Sequence, residues 1–123
     1  MPKTRHWKGR DDNSLLLAEK KAGILKALAH PIRITVFEVL ANGEKTVGEL
    51  VDLLGEKNAN TSRHLAVMRA AGLVETSKEG LNVHYSIKLP CLIPLLSFLD
   101  DGVCKIADEQ SKMAELLSAK GAK

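Results

Sequence analysis

The sequence predicts a mainly α-helical domain that carries one small β-hairpin. Apolar residues make up 45% of the 123 residues but aromatic residues only 3%, so aliphatic side chains must fill the core, as in helices packed on helices. The stretch from Asn58 to Tyr85 is the most informative: it has the pattern of a helix with one apolar and one polar stripe, followed by a hairpin with a charged tip. A short helix just upstream, from Val47 to Leu54, completes a helix-turn-helix unit with a wing.

A polar N-terminal segment precedes the first two helices. Residues 1–13 contain four basic residues and are expected to form a mobile basic arm. The first helix is predicted from Ser14 to Leu28, and Pro31 begins the second because proline suits the first helical turn. The apolar positions are Leu16, Leu17, Ile24, Leu25 and Leu28 in the first helix, and in the second Ile32, Val36, Val39 and Leu40 are expected to form an inward face.

A capping box predicts where the third helix begins. Thr46 is the expected N-cap and Glu49 stands three residues later. Gly55 ends this helix and Gly72 ends the fourth, because glycine adopts the left-handed backbone at no steric cost. The wing strands are predicted at Leu73–Thr76 and Val83–Ile87, with Lys78, Glu79 and Gly80 as the turn.

A fifth helix is predicted from Pro90 to about Leu117, and its first half is strongly apolar. Such a helix needs a partner, which is either the core of its own domain or a second subunit. The sequence Asp100-Asp101-Gly102 predicts a kink or a break in it. The folded domain is expected to span residues 14–118, with a C-terminal tail at 119–123.

The formal net charge of +3 is modest, but basic residues concentrate in the second half of the predicted helix-turn-helix and in the wing. A mild basic patch there fits contact with phosphates, although ordinary scatter of surface charge can produce the same pattern. The basic residues between positions 57 and 88 are Lys57, Arg63, Arg69, Lys78 and Lys88, against Glu75 and Glu79.

Several other classes of protein are not expected. No apolar run approaches the roughly 18 residues of a membrane span, and the basic N-terminus lacks the apolar segment of a secretory signal. Two cysteines give no disulfide framework, so a cytoplasmic protein is expected. The sequence has no nucleophile elbow, P-loop or HExxH motif, and we do not expect an enzyme.

The segment TSRHLAVMRAAGLVETSKEGLNVHYSI resembles the recognition helix and wing of the arsenic-repressor (ArsR/SmtB) family of winged helix-turn-helix regulators. That family's pattern is roughly S-x-H-L-x-x-L-x-x-A-G-L-V, then E-G and a strand that carries a tyrosine. The segment from Leu28 to Arg33 resembles the family's entry to the second helix, and the match extends over about half the chain, from Ile24 to Ile87. The resemblance implies a repressor that dimerises through its terminal helices, binds double-stranded DNA and is released by a small inducer. A two-fold dimer should read an inverted repeat.

The polar stripe of the fourth helix supplies most of the expected DNA contacts. Arg63 can donate two hydrogen bonds to a guanine edge, and Ser62 beside it can contact a base or a phosphate. Asn58 has an alternative role as the N-cap, and His64 has packing as its alternative. The full set expected to contact DNA is Asn58, Asn60, Thr61, Ser62, Arg63, His64, Arg69 and Lys78.

The wing departs from the family pattern. Lys78 is its expected phosphate contact, but Leu81 stands where the family often has arginine after the E-G pair. That departure weakens the case for insertion of the wing into the minor groove. Tyr85 matches a family aromatic residue and is expected to support the core or the backbone.

The metal sites of the family are not matched, since the third helix has no cysteine and the terminal helix no histidine. Cys91 and Cys104 remain, thirteen residues apart. On one straight helix they would lie about 20 Å apart, beyond disulfide reach. The family's intersubunit site has first and third ligands at this spacing, so the resemblance implies that Cys91 could meet Cys104 of a second chain.

A thiolate pair of this kind suits arsenite, another thiophilic metal ion or a redox signal. The alternative is that both cysteines are small buried packing residues. Asp101, Cys104 and Asp108 share one helical stripe and form a mixed-ligand option, with a solvated helix face as its alternative.

Two other functions stay open. A constitutive winged-helix regulator would bind DNA but have no sensor. A winged-helix protein–protein interaction module would bind no DNA and would need exposed apolar residues on the fourth helix, where this chain has Asn, Ser and Arg.

Overall fold

A computed structural model describes residues 11 to 121, so residues 1–10 of the expected basic arm lie outside the described residues. The chain forms two compact units, one ending at Leu89 and the other beginning at Pro90. The expectation of a mainly helical protein with a small hairpin is confirmed. The elements are α1 (Asp12–Leu28), α2 (Pro31–Leu40), β1 (Lys45–Thr46), α3 (Val47–Leu54), α4 (Asn58–Ala70), β2 (Val74–Glu79), β3 (Asn82–Ile87), a 3-10 turn (Pro90–Leu92) and α5 (Ile93–Gly121).

Helix α1 begins at Asp12, two residues earlier than expected. The reason is Asp11, whose carboxylate accepts a hydrogen bond from the backbone N–H of Ser14 at 2.7 Å and caps the helix. The face of α1 that is buried carries Leu15, Ala27 and Leu28. Three neighbouring apolar positions of α1 are about half exposed; they are Leu16, Leu17 and Leu25.

Helix α2 begins at Pro31, as expected, and His30 is its N-cap. The imidazole Nδ1 of His30 accepts a hydrogen bond from the N–H of Ile32 at 3.1 Å. Val36 and Leu40 are buried as expected, together with Phe37, which the sequence analysis did not place inward.

The capping box at α3 is confirmed. The hydroxyl of Thr46 accepts from the N–H of Glu49 at 3.2 Å, and the Glu49 carboxylate accepts from the N–H of Thr46 at 3.0 Å. Gly55, at φ +67°, follows the last residue of the helix. Helix α4 has Lys57 as its N-cap, without a side-chain capping bond, so the interpretation of Asn58 as the N-cap is wrong.

The wing is longer and the sheet larger than expected. β1, β3 and β2 form an antiparallel sheet in that order, with β3 in the centre. The two residues of β1 are too few to leave a sequence pattern. The hairpin turn is Gly80-Leu81, since Glu79 pairs with Asn82. A two-residue turn with φ +60° at its first position favours glycine there.

The core of the first unit is made by α2, α3, α4 and the start of β2. Its fully buried side chains are Val36, Phe37, Leu50, Thr61, Leu65, Met68, Leu73 and Val74. This packing holds the two helices of the helix-turn-helix against each other and against the hairpin that follows them.

The second unit is the 3-10 turn and the 29-residue α5, which runs unbroken through Asp100-Asp101-Gly102, so the expected break is wrong. Glycine inside a helix costs only about 1 kcal/mol and removes no backbone donor, so the helix can continue through it. Over residues 11–121, no helix combines the length and apolarity that a membrane span requires.

Candidate nucleic-acid interface

Helix α4 has one buried face and one exposed face, as its sequence pattern predicts. The buried face consists of Thr61, His64, Leu65 and Met68. The exposed side chains are small, polar or basic for the most part: Asn58, Ala59, Ser62, Arg63, Ala66, Val67, Arg69 and Ala70. Four of the eight residues expected to contact DNA therefore lie on one accessible surface of α4.

Hydrogen bonds order the first turns of this surface. Ser62 donates its hydroxyl hydrogen to the side-chain oxygen Oδ1 of Asn58 at 3.3 Å. The amide of Asn60 is half-buried and donates to the Glu56 carboxylate at 2.9 Å, just before the helix. Asn60 therefore holds the turn of the helix-turn-helix, whereas Ser62 and Asn58 face outward.

Two residues of the expected contact set lie on the buried face. Thr61 is 0% exposed, and its hydroxyl has no hydrogen-bond partner among the described residues. His64 is 9% exposed. Neither side chain reaches the outer surface of α4, and we leave both out of the proposed contacts.

The electrostatics of α4 favour an anionic partner. Its first turn has no acidic residue, and its sequence contributes Arg63 and Arg69 but no carboxylate. Lys57, the N-cap of α4, makes no side-chain hydrogen bond to the helix. The first backbone N–H groups of α4 can therefore donate to another acceptor. The helix dipole adds partial positive charge at the same end.

The wing places a further basic residue on the surface. Lys78 lies near the end of β2, is exposed and pairs across the hairpin with Val83. Leu81 at the turn is 98% exposed. His84 on β3 lies between two carboxylates, 3.7 Å from Glu44 and 3.7 Å from Glu79.

A cluster behind α4 was not foreseen from the sequence. The Nε of Arg33 on α2 donates to Nδ1 of His64 at 3.0 Å, and its Nη1 donates to the carbonyl oxygen of Ala27 at 3.1 Å. The rings of His30 and His64 lie 4.4 Å apart. Burial lowers the pKa of His64 from the usual 6.5, and electrostatic interactions with His30, Arg33 and Arg63 lower it further. His30 and Arg33 both belong to the Leu28–Arg33 motif, so this motif could have pointed to the cluster. In the sequence it served only as part of the family resemblance.

The two cysteines lie in the second unit. Cys91 is in the 3-10 turn before α5 and Cys104 is on α5, so they do not share one straight helix. Both are exposed and unbonded, and packing as buried residues is therefore wrong for a single chain. Among residues 11–121, no group of three or more His, Cys, Asp or Glu side chains could hold a metal ion.

Two helices joined by a short turn, a polar outer face on the second and a hairpin after it define a winged helix-turn-helix protein. Residues 28–77 match the family model described as a helix-turn-helix domain. The chain is 34% identical over 106 residues to the HTH-type transcriptional regulator Rv0081 of Mycobacterium tuberculosis. The aligned region covers 85% of this chain and 93% of the relative.

Solved structures agree with this assignment. The crystal structure of Rv0081 superposes with a TM-score of 0.69 over 77% of this chain and 96% of that chain, at 33% identity. A second match is Mb0332 from Mycobacterium bovis, a possible ArsR-family regulator whose structure is that of a homodimeric winged helix-turn-helix DNA-binding domain. It superposes with a TM-score of 0.70 over 80% of this chain and 94% of that chain, at 27% identity. The biofilm growth-associated repressor of Agrobacterium fabrum is 40% identical over 70 residues, 57% of this chain and 60% of the repressor.

The chain therefore belongs to the ArsR family of winged helix-turn-helix transcriptional regulators. Its relatives are regulators rather than enzymes.

Proposed function

We propose that the protein is a homodimeric repressor that inserts the exposed face of α4 into the major groove of an inverted-repeat operator. The observation that carries the proposal is the exposed, acid-free surface of α4, where Ser62 and Arg63 project beside Asn58. The major groove is about 12 Å wide and admits one α-helix. Arg63 is the residue suited to a guanine edge, and Arg69 and Lys78 to phosphates.

The same surface argues against the protein-interaction module. Such a module would need an apolar exposed face on α4, but Val67, at 36% exposed, is the largest apolar side chain there. The named relatives support DNA binding as well, since the Mb0332 fragment is a DNA-binding domain by its title.

Dimerisation is supported by the apolar surface of the second unit. Leu99, Val103, Ile106, Met113 and Leu117 are each 50–65% exposed and follow one another at the four- and three-residue spacings of a heptad, with Gln110 completing the stripe. An exposed stripe of this length is expected to pair with its copy in a second chain. The half-exposed leucines of α1 provide a further apolar surface in the first unit.

A selection experiment tests the proposal. Wild-type protein is used to enrich duplexes from a library of random sequence at neutral pH, and the survivors are sequenced. We expect an inverted repeat whose half-sites are about 10 base pairs apart centre to centre, or a multiple of that distance. Enrichment of no sequence above the starting library would overturn the proposal. The duplex obtained is called the selected duplex below.

For the inducer, we propose that Cys91 and Cys104 form a thiol site shared between two chains. Both thiols are exposed, and the described part of one chain holds no complete metal site, so ligands from a second chain would be needed. The operator would be released because the ligand or disulfide favours a dimer geometry that misplaces the two α4 helices. A constitutive regulator without a sensor is the alternative.

Titration of the DNA complex with arsenite, cadmium, zinc and a mild oxidant distinguishes the thiol sensor from the constitutive regulator. We expect one of these to release the selected duplex from wild type but not from Cys91→Ser or Cys104→Ser. If both serine variants respond as wild type does, the cysteines are not the sensor. If nothing releases the wild type, the constitutive alternative holds for these inducers.

A further inference from the structure

Arg33 joins three helices behind the proposed DNA-binding face. Its guanidinium donates to the Ala27 carbonyl near the end of α1 and to His64 on α4, while Arg33 itself lies on α2. The carbonyls of the last helical turn lack partners within their own helix, so the bond to Ala27 also satisfies one of them. The bond to His64 holds α4 by its buried face, whereas Arg63 lies on the exposed face.

The bond to His64 fixes the protonation state of that ring. An arginine can only donate, so Nδ1 of His64 must be an unprotonated acceptor and the hydrogen must be on Nε2. Nδ1 of His64 lies 3.0 Å from Nε of Arg33, so a proton added at Nδ1 would face the N–H of the guanidinium. Two cations would then be in contact where the neutral ring forms a hydrogen bond.

We propose that Arg33 and His64 act as a proton-sensitive positioning device for α4, so that protonation of His64 weakens the binding of DNA. This inference rests on the proposed function, because it needs α4 to be the helix that binds DNA. Protonation would break the bond between α2 and α4 and move α4 away from the position in which Ser62 and Arg63 meet a groove together.

The charged groups around His64 all bear on this equilibrium. His30 at the N-cap of α2, Arg33 on α2 and Arg63 on α4 disfavour the proton, and Glu56 in the turn before α4 favours it. Burial and the first three groups outweigh Glu56 and keep the pKa of His64 below 6.5, so the ring is neutral at neutral pH and takes up its proton only in acid. Binding should therefore be constant above about pH 7 and weaken below it.

The expected direction is opposite to that of simple charge. Acid adds positive charge to a protein, and positive charge strengthens DNA binding in general. A loss of affinity in acid therefore requires a specific structural change. Thermodynamic linkage adds a second signature: if the neutral form of His64 binds DNA better, bound DNA must lower the pKa of His64 further.

The test measures binding of the selected duplex by fluorescence anisotropy from about pH 7.5 to 5 at constant salt. For wild type, we expect the affinity of the dimer to fall by up to about tenfold per pH unit for each of its two His64 residues below the pKa of that ring. For His64→Asn, whose Oδ1 can accept from Arg33 but does not titrate, we expect binding at neutral pH and no fall in acid. The control His84→Asn removes the histidine of the wing and should keep the wild-type profile.

The profiles of wild type and His64→Asn decide whether the inference holds. A flat wild-type profile, or the same fall in His64→Asn, would overturn the inference. If His64→Asn does not fold, Arg33→Gln replaces it: the glutamine amide can donate to the neutral ring and accept from the protonated one, so the fall in acid should be reduced or lost. An unchanged fall in Arg33→Gln would overturn the inference. Absence of binding at neutral pH is a different result, since it contradicts the proposed function itself. Nuclear magnetic resonance titration of His64 with and without the duplex checks the linkage.

Discussion

Thr46 pairs with His84 in the sheet and at the same time caps α3. The residue that begins the first helix of the helix-turn-helix is therefore also held by the central strand of the wing. Its neighbour Lys45 pairs with Tyr85 in the same way. The helix-turn-helix and the wing are thus joined at two points in the sequence, by β1 before α3 and by the chain that follows α4.

Loss of the Thr46 cap should destabilise the first unit. Thr46→Ala removes the acceptor for the Glu49 N–H, and an N-cap substitution of this kind costs about 1 kcal/mol. Urea unfolding followed by circular dichroism measures the effect. Thr46→Ser keeps the hydroxyl and should therefore lose clearly less unfolding free energy than Thr46→Ala. Equal losses of unfolding free energy in the two variants would mean that the cap contributes nothing.

The same cap should make stability depend on pH. Hydrogen bonds from the Thr46 backbone and then its hydroxyl lower the pKa of Glu49 below its usual 4.5. The unfolded chain therefore takes up a proton first as pH falls, so the contribution of Glu49 is complete above 4.5 and is lost as pH falls through the lowered value. The difference in unfolding free energy between wild type and Glu49→Gln should shrink in that range, and a constant difference would contradict the assignment.

Arg63 and Lys78 should affect DNA binding in different ways. Arg63→Ala is expected to weaken binding of the selected duplex by about 1–3 kcal/mol and to relax sequence preference at one position of each half-site. Lys78→Ala should weaken all duplexes alike and reduce the dependence of affinity on salt. Lys105→Ala, which removes one positive charge from α5, is the control. Unchanged affinity and sequence preference in Arg63→Ala would remove that residue from the interface.

The apolar stripe of α5 should control assembly. The double variant Val103→Glu and Ile106→Glu places charges at two exposed stripe positions, and each buried aliphatic side chain of this size contributes about 2 kcal/mol. Analytical ultracentrifugation at micromolar concentration should show a dimer for wild type and a monomer for the variant. Lys105→Glu, also on α5 but outside the stripe, should remain dimeric. A monomeric wild type would rule out the stripe as a stable dimer interface.

Thr61 should be replaceable by valine without loss of stability. Its buried hydroxyl has no partner among the described residues, and an unsatisfied buried group costs about 1–3 kcal/mol. Thr61→Val removes that group at nearly constant volume and should be neutral or stabilising. Thr61→Ser keeps the hydroxyl and loses a methyl group, which should cost about 1 kcal/mol. Greater destabilisation by valine than by serine would show that the hydroxyl has a partner.

The sequence alone determined the elements that depend on local chemistry. Pro31, the Thr46–Glu49 capping box, Gly55 and Gly72 each mark a helix boundary, because caps and left-handed residues act within a few positions along the chain. The polar face of α4 was also predictable, since its apolar residues recur at helical spacing. The expected turn of the wing was displaced because Lys78 and Glu79 continue the strand.

The tertiary structure decided how deeply the polar residues of α4 are buried. Thr61 and His64 stand four residues before Leu65 and Met68, so helical spacing places them on the apolar stripe, but only packing against the core makes that stripe inaccessible. The bond from Arg33 to His64 joins residues 31 positions apart, and β1 exists only because β3 lies beside it. Contacts between distant residues depend on how the helices are arranged in space, and no local pattern in the chain records that arrangement.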